Sequence, residues 1–131
     1  MNHKKILLVD DDVDDQLIFI DALNEVEPAI ECITFNNGLE ALAQLKTIAL
    51  KPSLIFLDLN MPFMNGFEWL EQIKKDDQFK EIPVVIFTTS NNPADEKRTK
   101  ELGAALFFTK TPDFKLLKSK LVDIIKTDFS R

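Results

Sequence analysis

Five short apolar runs alternate with five segments of helical period along the 131 residues, and that alternation restricts the chain to few folds. The spacing predicts strands over 5–10, 30–35, 53–58, 83–88 and 105–109, and helices over 14–26, 38–49, 66–75, 92–102 and 112–126. Phe19, Leu23 and Val26 share a face of the first helix, with Ile20 beside them. Leu42, Leu45 and Ala49 do so in the second, Phe67, Leu70 and Ile73 in the third, and Leu117, Leu121 and Ile124 in the fifth. Strands separated by helices run parallel, and the crossover helices cover both faces of the sheet. The runs Ile6-Leu7-Leu8-Val9 and Leu54-Ile55-Phe56-Leu57 are continuously apolar, as strands buried on both faces require. The expected fold is α/β, a doubly wound five-stranded parallel sheet in one domain spanning 1–131, with no output domain.

Turn chemistry supports these boundaries. Asp14 is the expected cap of the first helix, and Gly103 suits a left-handed stop after the fourth. Pro112 fits the first turn of the fifth helix, and Pro83 sits at a strand start, where a missing amide proton is tolerated. The fourth helix has little to bury beyond Ala94 and Leu102, which implies low local stability and an element free to move.

Composition excludes several classes. The net charge of −6 argues against nonspecific binding to nucleic acid or to an acidic membrane. Apolar runs of four to six residues are far short of a membrane span, and the N-terminus lacks the pattern of a signal peptide. A single cysteine, Cys32, precludes an intrachain disulfide and is consistent with a reducing cytoplasm. His3, in a short tail before the first strand, reads as a solvated histidine, and Trp69 as a packing residue of the third helix.

The chemistry is concentrated at strand ends. The first strand runs into Asp10-Asp11-Asp12 and the third into Asp58; Thr88 closes the fourth and Lys110 follows the fifth. In doubly wound sheets ligands bind outside the carboxyl ends of the strands, where the winding direction switches. Carboxylates, a hydroxyl and an ammonium therefore converge on one point. Clustered carboxylates repel unless a cation is present, so a divalent metal is expected among them.

At these residues the chain resembles the receiver domain of two-component response regulators, the CheY-like family, in its stand-alone form. The resemblance rests on Ile6-Leu7-Leu8-Val9-Asp10-Asp11-Asp12, on Leu57-Asp58-Leu59-Asn60-Met61-Pro62-Phe63-Met64-Asn65-Gly66, on Pro83-Val84-Val85-Ile86-Phe87-Thr88-Thr89, and on Gly103-Ala104 through Lys110. It implies the flavodoxin-like strand order 2-1-3-4-5. It implies that Asp58 accepts a phosphoryl group from a phosphohistidine on a sensor histidine kinase or a histidine phosphotransfer protein. Asp11, Asp58 and the backbone carbonyl of Asn60 would hold Mg²⁺ directly, with Asp10 acting through water. Thr88 and Lys110 would engage the transferred group, with positive charge beside Asp58 keeping it ionised. Thr88 and Phe107 would form the switch. The output would be altered binding of a downstream protein through the face over 92–126. An exposed Phe107 on that face would also permit a homodimer.

Two departures from the family pattern stand out. Pro112 is displaced by one residue from the usual place after the lysine, so a trans Lys110–Thr111 bond or an altered turn is expected. Phe107 stands where tyrosine is frequent, while Phe108 should point to the other sheet face and into the core. The enzyme alternative is a phosphatase with an aspartate nucleophile. It is weakened by Asn60, which cannot act as the second acid–base group such enzymes carry two residues on. An EF-hand reading of Asp10, Asp12, Asp14 and Asp21 fails because Asp15 stands where glycine is needed and a strand precedes the loop.

Overall fold

The structure is a computed structural model, and it describes residue 3 and residues 5–48 and 51–129. The elements are β1 (Lys5–Val9), α1 (Val13–Val26), β2 (Glu31–Phe35), α2 (Gly38–Leu45), β3 (Leu54–Leu57), α3 (Gly66–Lys75), β4 (Val84–Thr88), α4 (Pro93–Glu101), β5 (Leu106–Thr109) and α5 (Phe114–Lys126). The strands form one parallel sheet in the order β2-β1-β3-β4-β5. Ala49, placed on the second helical stripe above, lies outside the described residues, and α2 ends at Leu45.

Period-two alternation divides the apolar residues between two cores. Ile6, Leu8, Leu54, Phe56, Val85, Phe87 and Phe108 face one layer with Phe19 and Leu23 of α1 and Leu117 and Leu121 of α5. Leu7, Val9, Ile55, Leu57, Val84 and Ile86 face the other, with Ala41 and Leu45 of α2 and Trp69, Leu70 and Ile73 of α3. Phe108 is therefore core, as its register requires. The rings of Phe19 and Phe56 meet at 4.8 Å, and those of Phe87 and Phe108 at 5.3 Å, so aromatic packing continues beneath the sheet's carboxyl edge. Trp69 is fully buried, and its indole N–H donates to the Gly38 carbonyl at 3.0 Å.

Several local expectations are corrected. The cap of α1 is Asp12, whose carboxylate accepts from the Asp15 amide at 3.1 Å; Asp14 lies inside the helix. Pro112 precedes α5 instead of opening it, and Asp113 caps the helix through the Leu116 amide. His3 is buried, not solvated: its Nδ1 lies 2.6 Å from the Ser53 hydroxyl, and burial lowers its pKa. The parallel register explains this, since the start of β1 lies beside the residues that lead into β3. Phe107 is half-buried against the second core, and Leu106 is its exposed neighbour. Gly103 does take the left-handed conformation, with φ of 105°. There is no cis peptide bond among the described residues, in keeping with the expectation for Lys110–Thr111.

Candidate functional site

Backbone hydrogen bonds carry the register past the last residue of each strand. The Asp10 amide donates to the Phe35 carbonyl at 3.1 Å, the Asp58 amide to Val9 at 2.9 Å and the Lys110 amide to Thr88 at 2.6 Å. Acids from β1 and β3, the hydroxyl ending β4 and the lysine after β5 are thereby held at one level of the sheet. Behind Asp58 the chain turns back so closely that a Cβ on Gly66 would lie 2.3 Å from the Asp58 carbonyl oxygen and 2.7 Å from Leu59 Cα. Glycine at this position is a packing requirement: it lets the loop carrying Asn60 close against the strand end.

The predicted convergence is present. Asp10, Asp11 and Asp58 offer carboxylate oxygens that all lie within 4.8 Å of one another. Asp10 and Asp58 are buried while Asp11 is exposed, so the cluster opens to solvent on one side. Lys110 Nζ lies 2.8 Å from Asp10 Oδ2, 2.8 Å from Asp15 Oδ2 and 3.7 Å from Asp58 Oδ2. The contact to Asp15 is an aligned hydrogen bond. The approach to Asp10 is an ion pair with a wholly buried carboxylate. Beneath the ammonium, the Phe87 ring centroid is 5.4 Å away. Thr88 is fully buried, and its hydroxyl accepts from the Ser90 amide at 3.3 Å.

Burial dominates the electrostatics. It pushes Asp10 up to about 6, against the Lys110 ammonium and the Asp12 amide, which favour the charged form. Asp58 is also raised by burial, which outweighs Lys110, the amides of Asn60 and Leu59, and the Thr88 hydroxyl. One lysine, shared among three carboxylates, does not offset their desolvation, so the charged form of Asp58 is favoured by Lys110 but opposed more strongly by burial. Burial also acts against the charge on Lys110, but Asp10, Asp15 and Asp58 overcome it and raise its pKa. A cluster of this kind, carboxylates with a surplus of negative charge, has the chemistry of a hard-cation site.

Two residues escaped the sequence reading. Asp15 enters the sequence pattern only as the residue that spoils an EF-hand loop. Its real signal is its position four residues before Phe19 and eight before Leu23, on the stripe that α1 turns toward the core. Gln16 is buried, and its side-chain amide donates to the Asp10 carbonyl at 2.6 Å and to Asn36 Oδ1 at 2.8 Å, tying α1 and the end of β2 to the acidic loop. Nothing in its local sequence marks it.

Sheet order, acidic edge and a lysine opposite define a doubly wound α/β domain with a candidate metal-binding site at the carboxyl ends of its strands. The description "Response regulator receiver domain" matches residues 6–122, and the chain belongs to that family. It is 37% identical over 117 residues to response regulator Rcp1 of Synechocystis sp., covering 86% of this chain and 80% of that protein. The solved structure of the phosphorylated cyanobacterial phytochrome response regulator RcpA superposes with a TM-score of 0.85 at 36% identity, covering 94% of this chain and 91% of that one. The Mn²⁺-bound form of Rcp1 gives a TM-score of 0.81 at 36% identity, over 92% of this chain and 91% of its own. The chain is thus a receiver domain of the two-component response regulators, homologous to Rcp1. No helix among the described residues is long and apolar enough to cross a membrane.

Proposed function

We propose that residues 1–131 act as one receiver domain that takes a phosphoryl group onto Asp58 and signals by changing its protein partners. The observation that carries this reading is the joining of three carboxylates, with ligand oxygens within 4.8 Å, to a lysine 3.7 Å from one of them. Asp58 is the nucleophile. Its carboxylate oxygen bonds to phosphorus as the P–N bond to a histidine ring breaks, and the ring nitrogen leaves with the electron pair. The donor is a sensor histidine kinase or a histidine phosphotransfer protein, with no part for nucleic acid or membrane, and the setting is cytoplasmic.

The donor set fits Mg²⁺: Asp11 and Asp58 with the Asn60 carbonyl would hold it, and Asp10 would act through water. When bound, the ion neutralises charge on the phosphoryl oxygens. Asp11, being exposed, leaves the approach open to the donor. Lys110 supplies a positioned ammonium for the incoming group, and the Thr88 hydroxyl donates to it once transfer is complete. Asn60 offers no proton-transfer group, so phospho-Asp58 hydrolyses slowly and the protein is a phosphoacceptor, not an enzyme.

Movement of Thr88 toward the added charge draws on the Ser90 amide bonded to it. The loop leading to α4 then shifts, together with Phe107 at the half-buried position on β5. The output surface is the face over 92–126, and its occupant is a downstream protein or a second copy of the chain.

Incubation with a small phosphodonor and Mg²⁺, followed by intact mass and peptide mapping, tests this. One phosphoryl group is expected, on Asp58, and none in Asp58→Asn. A phytochrome-class kinase is the first physiological donor to try, given the kinship to RcpA. Release of free phosphate at enzymatic rates would replace this reading with the phosphatase one.

A further inference from the structure

Lys110 is committed elsewhere in the unmodified protein. It donates to Asp15 on α1 at 2.8 Å, while Asp58 Oδ2 lies 0.9 Å farther away. Asp10 Oδ2 shares the ammonium at the same 2.8 Å. Asp15 is held in place by α1 itself, since its amide donates to the capping Asp12 carboxylate and Phe19, one turn on, is fully buried. An ammonium carries three diverging protons, and Asp10 and Asp15 both hold Nζ at 2.8 Å, against 3.7 Å for Asp58. Bringing Nζ from 3.7 Å to hydrogen-bonding distance of a group on Asp58 draws it off its 2.8 Å contact with α1.

We propose that Asp15 is a positioning residue that competes with the phosphoryl group for Lys110, and so weakens the hold of the site on that group. The inference rests on the phosphoacceptor reading above. The Asp15 side chain is 30% exposed, so the competing ion pair is partly screened and its effect is moderate. Neutralising Asp15 frees the ammonium to settle nearer Asp58. Asp14, its exposed neighbour in the same turn, carries the same charge without this contact and isolates the effect of the ion pair from that of net charge.

Beryllofluoride with Mg²⁺, titrated into the full chain and followed by fluorine NMR, provides the phosphoryl mimic. Asp15→Asn is expected to bind it about fivefold more tightly than the parent protein. Asp15→Glu, which keeps the carboxylate, should return toward the parent value, and Asp14→Asn should stay there. In parallel, the Lys110 side-chain NMR signal of unliganded Asp15→Asn should shift toward its position in the beryllofluoride complex. Equal affinities for the parent protein and Asp15→Asn, weaker binding by Asp15→Asn, or the same gain in Asp14→Asn would each overturn the inference. Failure of the parent protein to bind the mimic at all would instead strike the phosphoacceptor reading. The Lys110 signal then decides alone: unmoved in Asp15→Asn, it removes the role assigned to Asp15.

Discussion

At the scale of single residues, the site is a place where desolvation outweighs attraction. Asp10 rises from 3.8 to about 6 because it is buried, although Lys110 stands 2.8 Å away. Between those two values Asp10 is more protonated in the folded protein than in the unfolded chain, so its contribution to stability falls as pH rises through that window. Asp58, also raised, shares Lys110 with Asp10, and the two titrate as a coupled pair. Urea unfolding at pH steps from about 4 to 7, in a chelator, should show this decline, and Asp10→Asn should flatten it. A parent protein that gains stability over this interval relative to Asp10→Asn would mean that Lys110 outweighs burial at Asp10. Asp58 and Lys110 are legible in the sequence because each follows a strand-forming run, whereas Gln16, inside a helix, carries no comparable mark.

At the scale of elements, α4 is the odd member. Its described residues bury only Thr99, and even Ala94 is exposed, against the expectation that it would contribute to the core. Leu102, just past the helix, does pack on the second core. What ties the helix body to its neighbour is Arg98 stacked over the Phe67 ring of α3, 4.0 Å from its centroid. By contrast, α1 places Phe19, Ala22 and Leu23 in the core. Amide exchange in α4 should accordingly be faster than in α1, and Arg98→Ala should accelerate it further. Addition of a phosphoryl mimic should alter α4 protection while leaving α1 beyond its first turn unchanged. Identical α4 protection with and without the mimic would remove it from the signalling surface.

For the whole molecule, negative charge gathered at one edge of the sheet opposes folding, and a cation bound there should favour it. A ligand held only by the folded state adds about 2.7 kcal/mol at a hundredfold excess over its dissociation constant. Mg²⁺ should therefore raise the urea midpoint in a concentration-dependent way, and Asp11→Asn should abolish most of the gain. A midpoint indifferent to Mg²⁺ in the parent protein would show that the carboxylates do not bind it.

Architecture and chemical convergence were available from the linear pattern, because continuous apolar runs and helical stripes each have one periodicity, and strand ends in a parallel sheet share an edge. Where a contact depends on the angle between packed elements, that pattern is silent. The pairing of Asp15 with Lys110, 95 positions apart, depends on how α1 lies across the sheet. The burial of His3 beside Ser53 depends on which strands are neighbours. The raised Asp58 depends on its burial at the junction of β3 with its neighbours. These are properties of three-dimensional packing, in which desolvation and alignment are set by residues remote in the chain.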